Sequence, residues 1–490
     1  MRRPYLLTLA LLLPSVCAGA APPKPDFANL PAYLTALNQS QDPEALRIRQ
    51  RIADGPADLA RERAAADKAG LLTRPDQLQR PLPPADQNAA PLYVQLDALR
   101  KQKPLHLPMY AQPLNGRYAY TPEQLAAVQK EVDARQDIFT LLHQAADKPQ
   151  CVFVRDASGP LGMPNVFTNY AGLRESAREI NTESLLLAHQ GNYPQAVTDQ
   201  ERGFRIAAHA ASDGLLVSFL VGSAIDAITL SGMQAILKKA GPDAALDSRA
   251  EADILALPPL SLSHALSGET AMTAAEFAAF HRATPAELAQ AFPQGSLFAG
   301  STPAPASARF TPAEQLEVSN LVDAAQADYL HQLRQLVAAA DKPSAMRHAV
   351  FGYNQVRVQA NQDDPIEALS DLLNPIAAFD VAAASPSAGK VEQLADQVTA
   401  RRLVTAAGAA VLAVKAQTGA FPSSLPPRFT DPFTSKPLGY RLEGANGFVV
   451  YSAGSTGTFD GGKPGDNRYG PNIVFRYPLV PVPVPVGMLK

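Results

Sequence analysis

The chain has 490 residues, 46% of them hydrophobic and 18% charged, with 44 prolines, two cysteines and no tryptophan. This composition excludes a collagen-like chain, a disulfide scaffold and a disordered polymer. Its 43 basic and 46 acidic residues, a formal charge of -3, argue against nucleic acid as a partner, which calls for concentrated positive charge. The length suffices for a large core and for two or three domains.

In chain order, Arg2 and Arg3 precede a short apolar run, Tyr5 to Leu13, broken by Pro14-Ser15 before Ala18-Gly19-Ala20. This is the layout of a secretory signal peptide at residues 1–20, cleaved after Ala20. The run is far short of the roughly 20 residues a membrane-spanning helix needs. Val16 before Cys17 is too large for a lipobox, so lipidation is not expected. The expected location is the periplasm or the extracellular space. Cleavage would remove two of the 43 basic residues, leaving 41 against 46 acidic and a charge of -5. It would also leave Cys151 as the one thiol, so no internal disulfide is expected and packing must hold the exported chain together. Cys151 opens the apolar, strand-like run Cys151-Val152-Phe153-Val154 and reads as a buried, inert side chain.

Residues 21–118 are proline-studded and predict an irregular arm with short helices at Phe27 to Leu37, Glu44 to Ile52 and Ala57 to Ala69. A helical array is expected over 119–390. Thr121-Pro122-Glu123 is an N-cap with proline at N1. It is followed by one apolar stripe from Leu125 to Leu142. Helices resume near Asn169 and again at Tyr193-Pro194, joined by Gly191-Asn192 as an αα-hairpin. Leu215 to Leu230 is apolar on all sides, interrupted by Asp226, and fits the centre of a helical bundle rather than a membrane. Residues 293–312 read as a surface loop, and Thr311-Pro312-Ala313-Glu314 repeats the capped start. Residues 391–418 predict a long helix. Beyond Gly419 short β-runs follow, Leu438 to Leu442 and Phe448 to Ser452 around Asn446-Gly447, then Ile473 to Tyr477, a hairpin signal. The Val-Pro tail at 478–490 must be extended and unsuited to a central strand. The expected fold class is therefore mainly α, irregular stacked helical hairpins with a C-terminal α+β unit over 391–477.

Two stretches resemble known families. The segment AHQGNYPQAVTDQERGF, from Ala188, resembles the inter-helix region of tetratricopeptide-like repeats, without a strict 34-residue period. From about Ala400 to Tyr477 the chain resembles the C-terminal domain of the major pseudopilin of type II secretion systems. The matching residues include Gly419-Ala420-Phe421-Pro422, Asp431-Pro432-Phe433, Pro437-Leu438-Gly439-Tyr440, Gly447-Phe448, Tyr451-Ser452-Ala453-Gly454 and Asp460-Gly461-Gly462. The resemblance implies a long helix on a small antiparallel sheet, with a calcium-binding loop to which Asp460 and Asp466 would contribute. Here the helix is internal and carries Arg401 and Arg402, so assembly into a pilus is not expected. Similar domains also close large exported helical proteins.

Catalytic motifs are sparse. The eight histidines are scattered; His264 with Glu269 and Glu276 comes nearest to metal-ligand spacing and reads as a polar rim. Ser387-Ala388-Gly389-Lys390 matches S-x-x-K, but in a Ser-Pro-Ser linker and without K-T-G. Asp363-Asp364 before Pro365 reads as a helix-start cap. The expected function is an exported, non-enzymatic binding or scaffolding protein of the bacterial cell envelope that takes a protein or peptide partner in a helical groove. The alternative is an α-helical glycan hydrolase using paired carboxylates.

Overall fold

The computed structural model describes residues 24–104, 114, 118–154, 170–291, 309–360, 364–372, 391–463, 473–479 and 482–484. The expected signal peptide at residues 1–20 with Cys17, the S-x-x-K stretch, Asp363, Asp466 and most of the 293–312 loop lie outside them. The fold is mainly helical with a small three-stranded antiparallel sheet near the C-terminus.

The proline-studded first region is more regular than its composition suggests. After α1 (Leu30–Gln39) comes a single 26-residue helix, α2 (Pro43–Lys68), capped by the Asp42 carboxylate and running straight through Gly55-Pro56. Sequence reasoning splits this helix in two because an internal proline removes one backbone hydrogen bond. Tertiary packing overrides that preference. Gly55 lies so close to the helix Pro312–Ala340 that an added Cβ would sit 2.3 Å from the Asn320 carbonyl, so the two helices are pressed together where α2 is intrinsically weakest. α3 (Ala90–Gln102) follows.

The stripe beginning at Thr121 is two helices, not one: α4 (Pro122–Ala134), with a Thr121/Gln124 capping box, and α5 (Gln136–Ala146). The break falls at Arg135, a buried residue outside helical geometry (φ −119°, ψ 24°) whose guanidinium donates to Glu179 at 2.8 Å. An ion pair formed at long range sets this boundary, and hydrophobic periodicity does not report it. α6 (Tyr170–His189) and α7 (Tyr193–Ala211) form the expected αα-hairpin. Its turn uses Gly191 at φ +82° and closes with Asn192 N–H donating to Leu187 O.

α8 (Leu216–Ala240) is the central strut. Leu216 and Phe219 enter a core made with α1, α2 and later helices; Ile225 joins the core of α3, α5, α6 and α7; Leu230, Met233, Ile236 and Leu237 join a third with the C-terminal sheet. Being apolar on every side follows from facing three cores. By length and composition alone it would span a membrane, yet most of it is buried inside the protein. α9 (Ala244–Leu255), α10 (Leu262–Phe280), α11 (Pro285–Ala291), α12 (Pro312–Ala340), α13 (Ser344–Ala360) and α14 (Pro365–Leu372) complete the array. The Thr311/Glu314 capping box opens α12, and Asp364 caps α14 through Ile366 N–H at 2.9 Å, as its position before Pro365 suggests.

α15 (Val391–Thr418) packs along α9 and α8 and lies under the sheet. The sheet is ordered β2 (Gly439–Leu442), β3 (Phe448–Tyr451), β4 (Val474–Tyr477), with Leu442 opposite Phe448 and Tyr451 opposite Val474. Phe475 lies over Gly408 of α15, where an added Cβ would fall 2.5 Å from the ring. Buried Asp431 ties the preceding loop to β3, accepting from Phe433 N–H and from Ala453 N–H at 2.7 Å. The compositional boundary at residue 390 is not a packing boundary, because Ala406, Ala407, Leu412, Phe448 and Phe475 share one core with Leu185, Phe204 and Ile236. The Val-Pro tail is extended at its described residues: β5 (Val482–Pro483) pairs in parallel with the two-residue β1 (Tyr118–Ala119).

Candidate functional site

Buried charge is concentrated between helices. Glu179 of α6 accepts from Arg100 of α3 at 2.6 Å through one oxygen and from Arg135 at 2.8 Å through the other; Arg100 also donates to Ser176 and to the Gly172 carbonyl. Asp226, in the middle of α8 and fully buried, receives Arg402 Nη2 at 2.7 Å and Nε at 2.9 Å. Burial pushes its carboxyl above the usual range, and the arginine pulls the other way. Arg347 pairs with Asp396 in the same manner between α13 and α15.

The buried histidine and cysteine are structural. His209 Nε2 faces the Lys148 carbonyl at 2.9 Å and Nδ1 faces the Tyr93 hydroxyl at 3.0 Å. That arrangement suits a neutral ring with the proton on Nε2, and burial lowers its pKa to about 4. Cys151 is buried and its thiol is pushed up by that burial, which disfavours the thiolate a nucleophile needs. The run it opens is not a strand. Its backbone is paired by a side chain, with Asn88 accepting from Val152 N–H at 2.9 Å and donating to Val152 O at 3.0 Å.

The sequence-selected groups on α10 have separate tasks. Glu269 accepts from Leu216 N–H at 2.6 Å, placing a carboxylate on the buried, electropositive start of α8. The His264 ring lies against Gly214, and burial raises Glu276 to about 7. In the C-terminal loop, Asp460 accepts from Gly462 N–H at 3.0 Å in a local turn. The Gly462 carbonyl is taken by Arg476 Nη2 at 2.5 Å, and the Arg441 guanidinium lies close to Gly461. Two guanidiniums thus flank the described part of this loop, and the remainder, with Asp466, lies outside the described residues.

Asp247 supplies a titration test. It is fully buried in α9, its Oδ2 accepting from Asp243 N–H at 2.8 Å while Oδ1 has no partner among the described residues. Burial, with the nearby Asp243 charge, raises its pKa to about 7. Between the ordinary carboxylate range and that value the folded state holds a proton the unfolded state releases, so this group removes stability as pH rises from about 4 to about 7. Asp247→Asn is expected to stabilise the protein by about 2 kcal/mol more at pH 8 than at pH 5. Urea unfolding at the two pH values checks this; an equal effect at both would refute the assignment.

A cluster that sequence spacing does not reveal joins three helices. His143 lies in the last turn of α5, Glu183 in α6 and Asp199 in α7, each with a potential ligand atom within 4.8 Å of the others. His143 Nε2 is 2.7 Å from Glu183 Oε2. Asp199, 1% exposed, uses Oδ1 for Gln195 (3.1 Å) and Arg202 (2.8 Å), while its buried Oδ2 has no hydrogen-bond partner among the described residues. Burial and then the Glu183 charge raise the Asp199 carboxyl. The three residues are 40 and 16 positions apart, and the only sequence signal is that each sits on a predicted helix. Comparison of the chain with protein-family profiles, with curated proteins and with solved structures gives no match.

Proposed function

We propose that this is an exported scaffolding or binding protein of the bacterial cell envelope that engages a protein or peptide partner through its helical array. The observation that supports it is the use made of buried charge. Glu179, Asp226 and Asp396 are each tied to arginines on other helices, so these groups maintain the relative placement of elements rather than face a substrate. The signal-peptide layout at the N-terminus supports export.

The carboxyl pairs among the described residues that bear on the glycan-hydrolase alternative include Glu201 of α7 with Asp253 of α9, which share Arg249, and Glu183 with Asp199. A glycosidase holds its two carboxyls about 5–9.5 Å apart so that sugar or water fits between them. The Glu183 and Asp199 oxygens, within 4.8 Å, are closer than that, and Glu201 and Asp253 are both held by one arginine, which favours the scaffold reading. The test is chemical cross-linking of the tagged chain in intact envelopes, with mass spectrometry of the adducts and a parallel assay of peptidoglycan turnover. A reproducible partner cross-linked to the helical array, with no turnover, is expected. Turnover abolished by Glu201→Gln, with no cross-linked partner, would overturn the proposal.

A further inference from the structure

The cluster on α5, α6 and α7 carries more chemistry than an ion pair needs. We propose that His143, Glu183 and Asp199 bind a divalent transition-metal ion of the zinc class, which staples the three helices. The inference is independent of the scaffold reading above.

Three observations converge on it. The donor set is one imidazole nitrogen and two carboxylate oxygens, each from a different helix and all within 4.8 Å, a spread that a small inward movement closes around one ion with ligand bonds of about 2.0–2.2 Å. Asp199 Oδ2 is buried and has no hydrogen-bond partner among the described residues, and an unsatisfied buried oxygen of this kind calls for a cation or donor. Lastly, an arginine anchors the Asp199 carboxyl through its other oxygen. Arg202 holds Asp199 Oδ1 and Asp147, with Arg205 also on Asp147. It thereby fixes the Asp199 carboxyl and leaves Oδ2 as its coordinating atom.

The imidazole selects the metal class. Calcium and magnesium prefer all-oxygen shells, whereas nitrogen with carboxylate suits zinc and its first-row neighbours. Binding replaces the proton shared between His143 Nε2 and Glu183 Oε2, and that proton passes to solvent. Three protein ligands leave a fourth position. His143 and Glu183 are partly exposed, with side chains 26% and 15% accessible, so water can reach it.

The test uses the full chain, stripped with a chelator and titrated with zinc and, separately, with cobalt(II). One ion per chain is expected, with a Tm rise of about 3 °C at a hundredfold excess of zinc over Kd and a visible cobalt spectrum of low coordination number. His143→Gln and Glu183→Gln should each weaken binding by at least about a hundredfold. His281→Gln, which removes a separate histidine–carboxylate pair with Asp323, should leave it unchanged. X-ray absorption of the zinc-loaded, unaltered chain should show a nitrogen ligand at about 2.0 Å, a readout that does not depend on any variant folding. Absence of stoichiometric binding, an all-oxygen shell, or binding that survives both His143→Gln and Glu183→Gln would each overturn the proposal.

Discussion

Arg402→Leu is expected to destabilise the protein by about 3–5 kcal/mol, because it strands the fully buried Asp226 carboxylate. Both guanidinium bonds to Asp226 Oδ1 disappear, along with the Nη1 bond to the Pro258 carbonyl at 2.7 Å. Asp226 Oδ2 lacks a hydrogen-bond partner among the described residues, so no second hydrogen bond among them holds the charge. The stranded acid will bind a proton, which makes the loss smaller at pH 5 than at pH 8. The double variant Asp226→Leu/Arg402→Met should recover most of the loss, since an apolar pair of similar volume removes the desolvation cost of both charges. Chemical denaturation of the unaltered chain, Arg402→Leu and the double variant at both pH values measures the loss and its recovery. A loss under about 1 kcal/mol without pH dependence would show that the pair does not carry this energy.

The second large effect is steric and has a built-in control. Gly268 in α10 faces the turn before α8, where an added Cβ would lie 1.7 Å from the Gly214 carbonyl oxygen. Gly214 itself is at φ +72°, which fixes that carbonyl in place. Gly268→Ala must therefore push α10 away from α8 and lengthen the Glu269 bond to Leu216 N–H. A loss of about 3 kcal/mol is expected. Gly352 in α13 has no atom of the described residues within 4 Å of its Cβ position, so Gly352→Ala should stabilise by about 0.5–1 kcal/mol through helix propensity alone. Thermal melts of the two variants should move in opposite directions. A gain from Gly268→Ala would mean that the helices are not in contact there.

Local rules made much of the fold legible. Thr121-Pro122 and Thr311-Pro312 mark helix starts because a hydroxyl cap and a φ-restricted proline act within a single turn. The 443–447 connection reads as a hairpin, and Glu443 N–H donates to Gly447 O at 2.7 Å. Asp364 before Pro365 reads as a cap for the same reason. The features that escaped are those set by distant partners. Pro56 stays in a helix because α12 presses on Gly55, and Arg135 ends one because of Glu179, 44 residues away. Asp226 is explicable as a polar interruption of α8 only with Arg402, 176 residues on. The candidate metal cluster is illegible for the same reason: three helices must pack before its ligands share a neighbourhood. The C-terminal sheet followed its turn chemistry, but the commitment of Gly462 O to Arg476 depends on the folded sheet.

The position of α15 bears on the order in which the molecule can assemble. α8 and α9 present apolar faces whose covering comes from residues 391–418, and the sheet that closes over α15 needs residues up to Tyr477. β5 then pairs with β1, some 360 residues earlier in the chain. A nascent chain that has reached only residue 390 has most of its helices and nearly all the residues of two of the three large cores, but not the core that α8 and α9 share with α15 and the sheet. Completion of that third core therefore waits for nearly the whole polypeptide, and shortening it at the compositional boundary would leave the apolar faces of α8 and α9 uncovered.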